Sequence, residues 1–157
     1  VSKAVFNVKQ NGEHALIQLG GIIDEDMDFS LIKLDGAKSI EIDLDKIKSI
    51  NSCGIREWIK WISELKNAQI YLKNCPKIII DQINMVQGFL PPNGKVMSFY
   101  VPFFNDDYGT EKDVLFEYGK HYTEESVNIP DDVRDDQGNL MEIDVVESKF
   151  FKFLKRQ

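Results

Sequence analysis

Between Ser39 and Leu65 the chain changes its hydrophobic period once, across a short joint. Ile40, Ile42 and Leu44 alternate with Glu41 and Asp43, which is the two-residue period of a half-buried strand. Further on, Ile55, Trp58, Ile59, Ile62 and Leu65 recur at helical spacing, with Arg56, Glu57, Lys60 and Glu64 on the other side. A strand followed by an amphipathic helix places the chain among folds in which helices pack on a sheet. The joint between them reads as a loop over residues 45–50 and then Asn51-Ser52-Cys53-Gly54. Asn and Ser favour helix starts because their side-chain oxygens accept a backbone N–H that has no partner in the first turn. Gly54 permits a tight turn and allows another molecule to approach. The helix is expected to run to about Asn67, with Trp61 at the edge of its apolar stripe.

The rest of the first hundred residues fits the same class. Short apolar runs at 4–8 and 15–19 flank Asn11-Gly12, a dipeptide suited to the positive φ of a tight hairpin. After Gly20-Gly21 comes an acidic run, in which Met27, Leu31 and Leu34 predict a short helix capped from Asp24 to Asp28 and ended by Asp35-Gly36. Gln69–Lys73 reads as a strand. Asn74-Cys75-Pro76 opens a third helix, with Pro76 in its first turn, Ile79, Ile83 and Val86 inward, and Gly88 as its stop. A strand over 96–104 closes the unit. The expected order is ββαβαβαβ over residues 1–103.

The stretch Asn51-Ser52-Cys53-Gly54-Ile55, with a strand before it and a helix after it, resembles the signature of the STAS domain (sulfate transporter and anti-sigma factor antagonist). There the motif reads Asp-Ser-Ser/Thr-Gly-Leu/Ile at the start of the second helix. The element order supports the resemblance independently of the motif. It implies an α/β fold with a mixed sheet covered chiefly on one face by helices. It implies a non-enzymatic regulatory or scaffolding module acting by protein–protein contact at Asn51, Ser52 and Gly54, with Trp61 nearby. The implied partner is an anti-sigma-factor-like kinase or another regulatory protein. In anti-sigma factor antagonists the Ser after the Asp is phosphorylated, so Ser52 is the candidate phosphoacceptor. Asn51 stands where the family has Asp, and Cys53 replaces the second hydroxyl residue. A carboxylate that would assist or position the Ser52 hydroxyl is therefore missing, and phosphorylation is expected to be slow or absent. The family also contains accessory subunits of lipid transporters and small-ligand-binding domains, which gives the alternative reading.

Residues 104–157 differ in character. The formal net charge is −7. Residues 1–94 hold 11 Lys/Arg and 12 Asp/Glu, or −1, and residues 95–157 hold 8 and 14, or −6. Without a basic stripe the chain offers nothing to neutralise phosphates, which argues against nucleic acid. Strands are expected at Val114-Leu115-Phe116 and Leu140-Met141-Glu142-Ile143, and a short helix through Phe150, Phe151, Phe153 and Leu154. Asn105-Asp106-Asp107-Tyr108-Gly109 and Arg134-Asp135-Asp136-Gln137-Gly138 each end in Gly after an extended segment. They resemble the two Cys-x-x-Cys-Gly knuckles of a zinc ribbon. The four ligand positions would be Asn105, Tyr108, Arg134 and Gln137, none of them Cys or His. The expectation is a metal-free antiparallel β unit that docks on the first domain through its terminal aromatics.

Other chemistry finds little footing. Two cysteines, Cys53 and Cys75, make no disulfide framework. With no apolar run long enough to span a membrane, they suggest a reducing, cytoplasmic setting and no direct membrane insertion. Helix capping alone accounts for Asn51 and Ser52. Cys53 reads as a small buried residue rather than a reactive thiol. The acidic clusters lack the spacing of a calcium loop, and His14 and His121 lie far apart. No phosphate-cradling loop, nucleophile elbow or Ser/His/Asp set is evident. No enzyme activity and no cofactor are expected. Trp61 reads equally as an interface anchor or as packing against the tail.

Overall fold

The computed structural model describes residues 3–156. Val1, Ser2 and Gln157, the outermost residues of the two expected units, lie outside the described residues. The chain opens with β1 (Ala4–Asn11) and β2 (His14–Ile23), paired antiparallel with Asn11 opposite His14. The hairpin turn falls one position later than Asn11-Gly12. Gly12 and Glu13 are its central residues, and of these Gly12 alone has a positive φ, 62°. Glycine at the first central place of such a turn supplies the twist that matches the flanking strands.

The acidic stretch after β2 does not form the expected helix. Only a 3-10 turn appears, Phe29–Leu31. Asp28 accepts hydrogen bonds from both the N–H (3.0 Å) and the hydroxyl (2.6 Å) of Ser30, a local side-chain bond that competes with regular helix. β3 (Ser39–Ile50) runs 12 residues, through the segment expected to be a loop. Its register against β2 shifts between Gln18 and Gly20 and again between Gly21 and Ile22. These irregularities break the two-residue alternation beyond Leu44, so the strand's second half looks aperiodic in sequence. Gly20 makes the close approach possible, since a Cβ there would lie 2.6 Å from that of Lys46.

Next come α1 (Ser52–Glu64), β4 (Gln69–Lys73), α2 (Lys77–Met85) and β5 (Gly94–Val96). The first sheet has the order β1-β2-β3-β4-β5. It is mixed: β1 is antiparallel to β2, and β2 through β5 are parallel. Ala15, Ile17, Leu19, Ile40, Ile42, Leu44, Ile70 and Leu72 are buried and share one core with Trp58 and Ile62 of α1 and Ile79, Ile80 and Ile83 of α2. The intervening Gln18, Glu41, Asp43 and Lys73 keep contact with solvent, and Lys73 pairs with Glu41 at 3.0 Å on that face.

The single strand expected over 96–104 is two strands. β5 ends at Val96, Met97 intervenes, and β6 (Ser98–Asn105) enters a second, antiparallel sheet. β6 is the middle strand of that sheet, between β7 (Thr110–Glu117) and β8 (Glu142–Ile143). The second sheet thus begins at Ser98, ahead of the boundary expected at 103. A one-turn helix, α3 (Glu147–Phe150), and a 3-10 run (Phe151–Arg156) follow.

The second sheet is fastened to the first by aromatics. Phe150, Phe151, Phe153 and Leu154 are buried, and Phe153 meets Phe99 of β6, within the second unit, edge-on at 5.1 Å between ring centres. The buried Tyr122 hydroxyl donates to the Val96 carbonyl at 2.6 Å, and the Asn84 amide of α2 donates to the Phe150 carbonyl at 2.9 Å. All these apolar residues belong to one continuous core.

Candidate functional site: the start of α1

Asn51 is the N-cap of α1 and Ser52 is its first residue. Asn51 has extended backbone angles, and its Oδ1 accepts the Gly54 N–H at 2.9 Å. Its own N–H donates to the Ile23 carbonyl at 3.1 Å, which joins the helix start to the end of β2. The remaining Asn51 donor, Nδ2, reaches Glu25 Oε2 at 3.0 Å. That bond is the first cause holding the Glu25 carboxyl below its ordinary range; the loop backbone is the second. One asparagine therefore caps the helix and fixes a carboxylate beside it. An aspartate here would still cap but would have no hydrogen to give Glu25.

Gly54 has a steric role that its spacing does not reveal. A Cβ there would stand 2.1 Å from the Ile23 carbonyl oxygen and 3.1 Å from Ile50 Cγ1. The first turn of α1 rests directly on the ends of β2 and β3, and only glycine fits. Asn51 and Ser52 are exposed and Cys53 is half-buried. The solvent-facing surface at this point is therefore Asn51, Ser52 and Glu25.

Trp61 does not belong to that surface. It lies nine residues further along α1, about 14 Å at the helical rise. It is 7% exposed. Its ring stacks on Phe29 at 4.9 Å and meets Trp58 edge-on at 5.6 Å. The indole, read from sequence equally as an interface anchor or as packing against the tail, forms the lid of the α1 core. It packs against the Phe29–Leu31 turn rather than against the tail. Its exposed edge contributes to a shallow groove with Met27, Asp28, Glu57 and Glu64. Glu25 is the residue that sequence reasoning missed. Nothing in its spacing marks it out from Asp24, Asp26 and Asp28, because its role depends on the turn that brings it to Asn51.

Elsewhere, the two histidines have partners in the fold and Cys75 is enclosed by it. His14 Nδ1 lies 3.1 Å from Ser39 Oγ. His121 stacks on Phe116 at 5.1 Å, and its Nδ1 accepts the Glu117 N–H. Burial, and then Lys120, keeps the His121 pKa below its usual value. Cys75 is fully buried, which pushes its thiol up. Among the described residues no group of three or more His, Cys, Asp or Glu is placed to hold a metal ion, and no helix is long and apolar enough to cross a membrane.

The two Gly-ended turns of the tail do come together. Asn105 Oδ1 closes the first on the Tyr108 N–H, and Asp135 Oδ1 closes the second on the N–H groups of Gln137 and Asn139. Asn105 Nδ2 then donates to the Leu140 carbonyl, and the Thr110 hydroxyl to Asp135 Oδ2 at 2.7 Å. Of the four positions compared with knuckle ligands, Tyr108 points outward at 68% exposure. Arg134 is held by Asp132 and the Gly138 carbonyl. Side-chain hydrogen bonds organise these turns.

No family model matches the chain, and no curated protein matches it.

Proposed function

We propose that the protein is a STAS-type regulatory or scaffolding module without catalytic activity, which works by presenting the start of α1 to a protein partner. The observation that carries this reading is the exposed Asn51-Ser52 pair at the N-terminus of the 13-residue α1, seated on the sheet by Gly54. The antiparallel β1–β2 pair followed by parallel strands in chain order supports it. The partner class is an anti-sigma-factor-like kinase or a regulatory protein that reads the same surface. A phosphate on Ser52 would be welcomed by the helix dipole, but it would arrive beside the Glu25 carboxylate. With Asn in place of Asp at 51, slow or absent phosphorylation is expected, and the module acts as a constitutively unmodified binder. The tail is a ribbon-like unit in which hydrogen-bonded turns stand where metal knuckles would be.

The test is calorimetric affinity for a kinase-type partner. Ser52→Glu should weaken binding by about tenfold or more, the scale of a central interface residue. Tyr108→Ser, on the distant tail, should leave it unchanged. Equal binding by both variants and the wild type would remove the helix start from the interface. Incubation with the kinase and ATP should leave Ser52 unmodified by mass spectrometry, and efficient modification would overturn the second half of the reading.

One observation favours the alternative, a small-ligand or lipid-transport accessory module. A concavity of about 300 Å³ lies on the solvent face of the sheet, lined by Val5, Asn7, Gln18, Gly20, Asp43 and Asp45 among others. Its mouth is broad, and Asp43 and Asp45 are already bonded to Asn74 and Tyr100. The helix-start reading is therefore preferred.

A further inference from the structure

The two edges of the first sheet are unlike. β5 has three residues and runs on into the second sheet. β1 has eight, is paired to β2 in unbroken register, contains no proline, and has no strand outside it among the described residues. A long regular edge is a template for another strand. Val5 is 63% and Phe6 38% exposed on it.

The two-residue turn decides which backbone groups that edge offers. Asn11 and His14 flank the turn and form a hydrogen-bonded pair, and bonding then alternates back along the hairpin. Asn7 and Lys9 direct their N–H and C=O toward β2, while Phe6 and Val8 direct theirs outward. Phe6 and Val8 stand opposite Leu19 and Ile17, so their side chains lie on the core side of the sheet.

We propose that this edge pairs antiparallel with β1 of a second copy of the chain, joining two five-stranded sheets into one. Outward residues must face outward residues, which leaves few registers. Placing Lys9 opposite Lys9 opposes like charges directly, and placing Phe6 opposite Phe6 sets Lys9 against Lys3. Centring on Asn7 or on Val8 avoids both, and the first is preferred because it keeps the two apolar outward residues, Phe6 and Val8, together. The Asn7 register sets Phe6 opposite Val8 twice, an aromatic against a β-branched residue on the core side. It sets Lys9 opposite Val5 and Lys3 opposite Asn11, so no charge meets its like. The segment from Lys3 through Asn11 contains two Lys and no acid, so within the paired strands themselves no carboxylate is placed against another. A strand pair of this length makes a weak, concentration-dependent dimer.

The experiment uses the full chain. By light scattering, the mass should rise from 18.1 kDa toward twice that value as concentration goes from micromolar to near-millimolar. Val8→Pro removes an outward N–H and leaves the β1–β2 ladder intact, so it should stay monomeric with its circular dichroism unchanged. In a Cys53→Ser background, Asn7→Cys should cross-link two copies on mild oxidation. Facing residues of a non-hydrogen-bonded pair lie about 4.5 Å apart, within disulfide reach. Val5→Cys, facing Lys9, should not cross-link. A wild type that stays monomeric throughout, a dimer that survives Val8→Pro, or cross-linking at Val5 but not Asn7 would each overturn the proposal.

Discussion

Asn51 and Gly54 divide the work of starting α1. Asn51 satisfies the first turn electrostatically, and Gly54 lets that turn lie on the Ile23 carbonyl. They should therefore fail differently. Gly54→Ala forces a methyl into a 2.1 Å gap against backbone, which cannot rotate away, and a loss of about 3 kcal/mol is expected. Asn51→Ala should cost about 1 kcal/mol, the worth of a cap. Urea unfolding of the two variants measures both, and a Gly54→Ala loss no larger than the cap's would mean that the helix shifts freely on the sheet. The sequence shows a glycine and a cap residue here but not which carbonyl the glycine faces. That contact joins residues 31 positions apart, from Ile23 to Gly54, and local pattern carries no record of it.

Elements were legible where one hydrophobic period held for their whole length. Gln69–Lys73 has the expected bounds, and α1 begins at the expected joint. The failures share a cause: a local hydrogen bond or bulge interrupts the period. Asp28 turns the chain before a helix can start, the register shifts in β3 disguise its second half, and Met97 bends one apolar run into strands of two sheets. Trp61 shows a related limit, because a residue at a stripe's edge is buried or exposed according to what packs there. Here it is Phe29, stacked on the indole. Trp61→Ala should cost about 3–5 kcal/mol, as for a buried aromatic. Combining it with Phe29→Ala should cost less than the two separate losses together. Strict additivity in that double-mutant cycle would show that the stacked pair is not coupled.

The whole molecule behaves as one unit if its core is as continuous as the burial shows. Removing residues 150–157 strips Phe150, Phe151, Phe153 and Leu154 from Phe99 and the α2 side of the core. The truncated protein should melt at a lower temperature in a single calorimetric transition. A first sheet melting at the wild-type temperature would show the tail to be independent. A second tie between the sheets is polar. Glu124 pairs with Lys95 of β5 at 2.9 Å and accepts from the Tyr118 hydroxyl. The Tyr118 bond first, and Lys95 next, hold its carboxyl down to about 2 from an ordinary 4.5. A depressed carboxyl binds fewer protons folded than unfolded, so its contribution is complete above about pH 4.5 and fades as pH falls toward 2. Glu124→Gln should flatten the decline of the melting temperature over that window and leave the slope near neutrality unchanged.

In the first sheet every strand lies beside its predecessor in the chain, from β1 to β5. A ribosome releasing this protein therefore delivers each new strand to an edge that is already waiting, and the sheet can grow by single additions during synthesis. The second sheet has no such order. β6 needs β7 on one side and β8, which follows β7 only after the long stretch 118–141, on the other. Its aromatics must wait, part-covered, until β8 has been made. The nascent chain is thus most exposed to aggregation after Asn105 and before Ile143, an interval set by strand order rather than by stability.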